Sequence, residues 1–142
     1  MKRFRVVLDT NVVLSAMRSQ LGASYRLLMT MGHSRWQSVV TSTLMYEYED
    51  VARRPGAAAG LSPQDITNIL DMIYQESYRQ FVWFSWRPLS PDPGDDAILE
   101  AAIAGRCDYV VSFNERHLRV IREFGVEVLK PADLLKRIGE IK

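Results

Sequence analysis

Phe4-Arg5-Val6-Val7-Leu8-Asp9-Thr10-Asn11-Val12-Val13-Leu14-Ser15-Ala16 is the stretch that decides the fold class. Phe4 to Leu8 is an apolar run of strand length, and its β-branched valines suit a buried strand. At Asp9 the pattern changes. Asp9 or Thr10 can cap a helix reaching about Met17, because a short side-chain oxygen there accepts a bond from an unpaired first-turn N–H. A strand that ends on an acid and passes straight into a helix is the repeating unit of α/β proteins. In an open sheet of that kind, strand C-terminal ends gather at one edge, in the crevice where ligands bind.

The alternation continues along the chain. Ala23 to Met31 reads as a helix and Gln37 to Val40 as a second strand. Thr41 or Ser42 caps a helix carrying Leu44, Met45, Glu47, Tyr48 and Val51, and Arg53-Arg54-Pro55-Gly56 ends it. Ser62-Pro63-Gln64-Asp65 is a helix start: a capping hydroxyl, proline at the first position, then an acid in the first turn. Ile66, Ile69, Leu70, Ile73, Tyr74 and Phe81 keep helical spacing beyond it. Val82 to Trp86 predicts a third strand. Pro88, Pro91, Pro93 and Gly94 punctuate the loop before a helix over Asp95 to Ala104, which Gly105 stops. Asp108 to Ser112 predicts a strand, Glu115 to Phe124 a helix, Val126 to Leu129 a last strand, and Pro131 opens a terminal helix. The expectation is a single α/β domain over residues 1–142, three layers deep (α/β/α), around a mostly parallel sheet of about five strands.

Composition agrees with a globular chain of 142 residues, 47% hydrophobic and 25% charged. Cys107 is the sole cysteine, so no disulfide framework exists within the chain, and a small buried core thiol is the plain reading. The basic start Lys2-Arg3-Phe4-Arg5 precedes too few apolar residues for a signal-peptide core or a membrane span, which makes the cytoplasm the expected location. A net charge of +1 gives no global pull on nucleic acid. Arg18, Arg26, Arg35, Arg53, Arg54, Arg87, Arg116 and Arg119 could meet phosphates, or could form a salt-bridged, solvated surface. His33 and His117 are isolated and read as surface or capping residues.

Four positions carry chemistry, each near a junction of strand and helix. Asp9 follows the first strand, Glu47 lies on the helix after the second, Asp95 and Asp96 open an Ala-rich helix, and Asn114 closes Tyr109-Val110-Val111-Ser112. Each has a bland alternative. Asp9 could cap its helix, Asp95 and Asp96 could complement a helix dipole, and Glu47 could be one of several solvated acids beside Glu49 and Asp50. Together they say more. Glu47 shares a face with Leu44, Val51 and Arg54, and a carboxylate beside an apolar stripe is costly unless paired or bound to metal. Carboxylates gathered at one sheet edge repel one another unless a cation sits among them, and hard divalent ions prefer oxygen ligands. A metal-dependent site is the reading that joins them.

At this point the sequence resembles the PIN-domain nucleases, in particular the small prokaryotic branch that acts as toxins of toxin–antitoxin pairs. The carrying segments run in family order: Val7 to Ala16, Val40-Thr41-Ser42 through Glu47-Tyr48, Arg54-Pro55 with Leu61-Ser62-Pro63, Asp92 to Ala102, Cys107 to Asn114, and Val128 to Leu135. The resemblance implies that Asp9, Glu47 and Asp96 are the catalytic acids and metal ligands. It places Asn114 at the fourth position, where many relatives carry Asp. Asn keeps an oxygen ligand but lacks the charge. Asn11 and Ser15 match polar positions that support the acids or touch substrate, and Asp92 and Asp95 are neighbouring acids that could orient water or substitute for Asp96.

The function so implied is Mg²⁺- or Mn²⁺-dependent endoribonuclease activity on RNA, with a cognate antitoxin and a homodimer as partners and no membrane. Two other readings stay open. One is a PIN-like module that binds RNA with weak or no hydrolysis. The other is a phosphoryl-transfer or receiver-type α/β domain using an Asp at a strand end, although no Gly-rich phosphate loop is present. The run Phe81-Val82-Trp83-Phe84-Ser85-Trp86-Arg87 could stack bases, or form a core strand or a contact between copies.

Overall fold

The computed structural model describes residues 2–82 and 93–142, the side chains of 93–94 and 115–119 excepted. Its elements in chain order are β1 (Phe4–Leu8), α1 (Thr10–Arg18), α2 (Ala23–Met29), β2 (Trp36–Val40), α3 (Ser42–Ala52), α4 (Pro63–Glu76), β3 (Tyr78–Arg79), α5 (Pro93–Ala104), β4 (Tyr109–Val111), a 3-10 segment (Glu115–Phe124), β5 (Glu127–Leu129) and α6 (Pro131–Arg137).

The five strands form one sheet in the order β3-β2-β1-β4-β5, and every pairing is parallel. β1 is the middle strand, which is why Val6, Val7 and Leu8 form a continuous apolar run: all three are completely buried. The chain steps from β1 outward to β2 and β3, then returns to lay β4 and β5 on the other side. Right-handed crossovers leading in opposite directions put their helices on opposite faces. α2 packs on both α1 and α6, and α5 packs on the 3-10 segment. The direction of travel reverses between β1 and β4, and in open α/β sheets that reversal opens the crevice used for ligands.

Helix starts follow their local chemistry. Thr41 accepts the Leu44 N–H at 3.1 Å and caps α3, a bond worth about 1 kcal/mol. Ser62 and Asp65 form a reciprocal capping box at the head of α4.

Three expectations need correction. α4 does not continue to Phe81 but ends at Glu76. Ser77 turns extended, its hydroxyl bonds to Ser38 at 2.8 Å, and Tyr78 and Arg79 pair with Val39 and Val40. Backbone pairing with the edge of β2 outweighs one more turn of helix, and Phe81 is left 66% exposed, so its helical spacing had no core behind it. Among the described residues the third strand is Tyr78–Arg79, a segment read from the sequence as helix. Val82 lies outside any strand, and residues 83–86 fall outside the described residues. Glu115 to Phe124 is wound as 3-10 and not as an α-helix. Smaller shifts move the end of α2 back from Met31 to Met29 and the start of β2 back from Gln37 to the buried Trp36.

Gly105 ends α5 for a packing reason. A Cβ there would stand 2.8 Å from the Ala101 carbonyl oxygen and 2.8 Å from Cγ1 of Val39. Only a residue without a side chain lets the helix end sit this close to β2.

Candidate active site

Asp9 stands at the reversal point. Its N–H donates to the Val111 carbonyl at 2.9 Å, which joins the end of β1 to the end of β4. It occupies the position before α1 with extended backbone, yet its carboxylate makes no capping bond. Oδ2 instead accepts the Ser112 hydroxyl at 2.5 Å, and Ser112 Oγ accepts the Asn114 N–H at 2.9 Å. Asp9 is only 5% exposed and Ser112 is completely buried. The capping alternative for Asp9 therefore fails: its charge is turned toward the β4 end and away from its own helix.

Glu47 reaches the same place from α3. Half-buried, it accepts the Thr10 hydroxyl at 3.0 Å. The next residue, Tyr48, is buried and donates its phenol proton to the Leu8 carbonyl. α3 is thus fastened to the β1–α1 junction on both sides of Asp9. Burial raises the Tyr48 pKa well above the usual phenol range, and the negative charges of Asp9 and Glu47 push it the same way. The phenol stays protonated and keeps donating.

Asp96 and Asp95 lie in the first turn of α5, both buried, with Asp96 at 3% exposure. α5 packs against β1 and α3. Its far end is tied to the start of β1, where Arg5 Nε donates to the Gly105 carbonyl at 2.8 Å. From Gly105 back to Asp96 the helix rises roughly 13 Å. From Arg5 forward to Asp9 the strand rises roughly 13 Å as well. The head of α5 accordingly stands level with the carboxyl edge of the sheet.

The remaining sequence candidates divide. Asn114 sits just beyond β4 with an exposed side chain, held through its backbone by Ser112. Asn11 Oδ1 lies 3.5 Å from the Phe113 N–H, at the limit of a hydrogen bond. Ser15 is half-buried one helical turn beyond Asn11. Asp92 falls outside the described residues, as do Trp83 to Arg87 of the aromatic run and the side chains of Arg116, His117 and Arg119. His33 has a local structural role, accepting the Arg35 N–H at 2.9 Å and lying 3.3 Å from Glu140.

Among the described residues, the candidate arginines Arg18, Arg26, Arg53 and Arg54 make contacts within the chain. Arg53 and Arg54 pair with Glu49 and Asp50 one turn back on α3. Arg18 and Arg26 donate to the carbonyls of Ala57 and Glu140. For Arg53 and Arg54 the salt-bridged surface is what the structure contains.

Sequence reading did not single out four further polar residues that touch or neighbour these acids. Thr10 and Ser112 orient the carboxylates of Glu47 and Asp9, and Tyr48 braces the strand beneath them. Glu100 is a further buried carboxylate one helical turn after Asp96. Glu100 had a legible signal, the i,i+4 spacing on an otherwise apolar helix. The others had none, because their partners lie far away in sequence or are backbone carbonyls.

Among the described residues, no group of three or more His, Cys, Asp or Glu side chains stands close enough to hold a metal ion between them. The donors are nevertheless all hard oxygens, the chemistry that suits Mg²⁺ or Mn²⁺. Mg²⁺ dehydrates reluctantly and is commonly held by one or two carboxylates, with water and substrate phosphate completing its shell. The set fits an ion held partly through water and does not fit a closed cage of three carboxylates.

A family model described as PIN domain matches residues 5–116. That span takes in Asp9, Glu47, Asp96 and Asn114. No curated protein matches the chain.

Proposed function

The chain belongs to the PIN domain family, and from that premise we propose that it is a metal-dependent endoribonuclease hydrolysing RNA phosphodiester bonds, the toxin half of a toxin–antitoxin pair. The observation that carries the reading is the orientation of Asp9. A buried carboxylate at a helix start that forgoes capping, and is held by Ser112 beside a Glu47 held by Thr10, is arranged to present oxygens at the sheet edge.

In this reading Asp9, Glu47 and Asp96 hold Mg²⁺ or Mn²⁺, directly or through water. When bound, such an ion would supply Lewis-acid charge to a water and to the scissile phosphate. Ser112 and Thr10 keep one oxygen of Asp9 and one of Glu47 in place, which leaves less reorganisation for the moment of reaction. Asn114 offers a neutral oxygen at the fourth position, with Asn11, Ser15, Asp92 and Asp95 as supporting or substrate contacts. An antitoxin and a second copy of the chain are the partners the family reading adds, and the cytoplasm is the location. No described helix is long and apolar enough to cross a membrane.

The test is cleavage of structured and unstructured RNAs with Mn²⁺ or with chelator. Asp9→Asn, Glu47→Gln and Asp96→Asn should each lose at least ~100-fold, the scale of removing one preorganised electrostatic contact. Near-normal cleavage by Asp9→Asn would remove the assignment. The toxin role is tested separately, by growth arrest on expression and its relief by the product of the neighbouring reading frame.

A second reading rests on the neutral Asn114 and on the absence of a three-carboxylate group among the described residues. It is an RNA-binding module with weak hydrolysis. Metal-independent RNA binding without cleavage, in wild type and acid variants alike, would favour it.

A further inference from the structure

Away from the acids, α3 and α4 pack side by side and leave an open groove of about 310 Å³ between them. Its lining includes Met45 and the buried Leu70, together with the more exposed Tyr46 and Tyr74. Tyr46 is 73% exposed, and Tyr74 is half-exposed. Large aromatic faces left in water beside apolar side chains are the usual makings of a contact site.

The charged side chains lining this groove are both acidic. Glu49 and Asp71 line it, and no basic side chain does among the described residues. Glu49 shares its charge with Arg53 at 3.1 Å, whereas Asp71 has no ion-pair partner among the described residues. Asp71 is thus the carboxylate that the lining offers to a cation. The chain also contains a worked instance of what suits one of these tyrosines. Arg79, which is not part of the groove lining, lays its guanidinium 4.8 Å from the centre of the Tyr74 ring. Guanidinium is the better match than ammonium, since it is planar, weakly hydrated and able to stack on an aromatic face while bonding a carboxylate in its plane.

We propose that the groove between α3 and α4 binds a segment of a partner protein through an arginine set between Tyr46 and Tyr74, paired with Asp71 and flanked by apolar residues on Met45 and Leu70. The groove includes neither Asp9 nor Glu47. Thr10 holds Glu47 at the β1–α1 junction, while Met45, Tyr46 and Glu49 border the groove. The same helix thus serves both places, and the partner can dock without entering the acidic site. This proposal does not depend on the nuclease reading.

The experiment titrates the full chain with N-acetylarginine amide and with its neutral isostere N-acetylcitrulline amide, following backbone and tyrosine resonances by NMR. Arginine amide should move signals of Tyr46, Glu49, Asp71 and Tyr74, and citrulline amide should not. Asp71→Asn should weaken the effect about fivefold, the scale of one exposed ion pair. Tyr46→Ala, at an exposed position that leaves the fold intact, should weaken it as well. Asp9→Asn should leave it unchanged, which keeps this result separate from any outcome of the cleavage assay. Equal responses to the two amides, or shifts that survive both groove substitutions, would overturn the proposal. So would a single-stranded oligonucleotide moving the Tyr46 and Tyr74 signals where arginine amide does not, since the groove would then be a base-stacking surface.

Discussion

Ser112 donates its hydroxyl to Oδ2 of Asp9 at 2.5 Å, across the boundary between β4 and β1. The two residues are remote in sequence and adjacent because their strands pair. The bond is buried, so it is stronger than its counterpart in water, and breaking it leaves a charged oxygen short of a partner.

Replacing Ser112 by Ala should therefore cost both stability and activity. Loss of one buried hydrogen bond to a charged group predicts a decrease of about 1–3 kcal/mol in denaturant unfolding. Cleavage should fall further than the folded fraction does. Ser112→Thr, which keeps the hydroxyl, should restore most of the activity. If Ala and wild type cleave equally at equal folded fraction, Ser112 has no part in orienting Asp9.

Metal should stabilise the folded chain. An ion that binds only the native state stabilises it increasingly as its concentration exceeds the dissociation constant, so Mn²⁺ should shift the transition upward and chelator should reverse it. Asp96→Asn should blunt the shift. Asn114→Asp restores a charge at the fourth position and should enlarge the shift, because a further carboxylate binds a hard cation more tightly. A melting curve that ignores Mn²⁺ in all three proteins would count against the site.

Cys107 predicts an alkaline limit to stability. Burial raises its pKa from 9.0 to about 12, so the folded chain holds the thiol proton where the unfolded chain has released it. Stability from this group is complete below pH 9 and should be lost as pH rises from 9 toward 12. The unfolding free energy measured across that window should decline less steeply in Cys107→Ala than in wild type. The same burial should keep the thiol unreactive toward alkylating reagents at neutral pH until the chain unfolds.

Gly105→Ala should destabilise by about 1–3 kcal/mol, because the added methyl has nowhere to go between the Ala101 carbonyl and Val39. Thermal unfolding measures this directly, and a stabilised variant would mean that α5 can move off the sheet at little cost.

Much of the architecture was legible because it is written in local patterns. The β-branched run before Asp9, the capping box at Ser62 and Asp65, and the Ala-rich helix after Asp96 each specify an element through interactions within a few residues. Where local pattern failed, a distant partner decided. Ser77 to Arg79 left the helical register for the edge of β2, and no periodicity in that segment announces the pairing. The fourfold polar set was readable as types and order, through its resemblance to a family.

By itself, then, the sequence determined a parallel α/β chain with acids at its strand–helix junctions, since short-range propensity and apolar periodicity are encoded residue by residue. Only tertiary structure decided what those acids do with their oxygens. Asp9 turns from its helix to Ser112, Glu47 turns to Thr10, and Tyr48 ties α3 to Leu8, because strand order and helix packing bring together groups that are far apart along the chain.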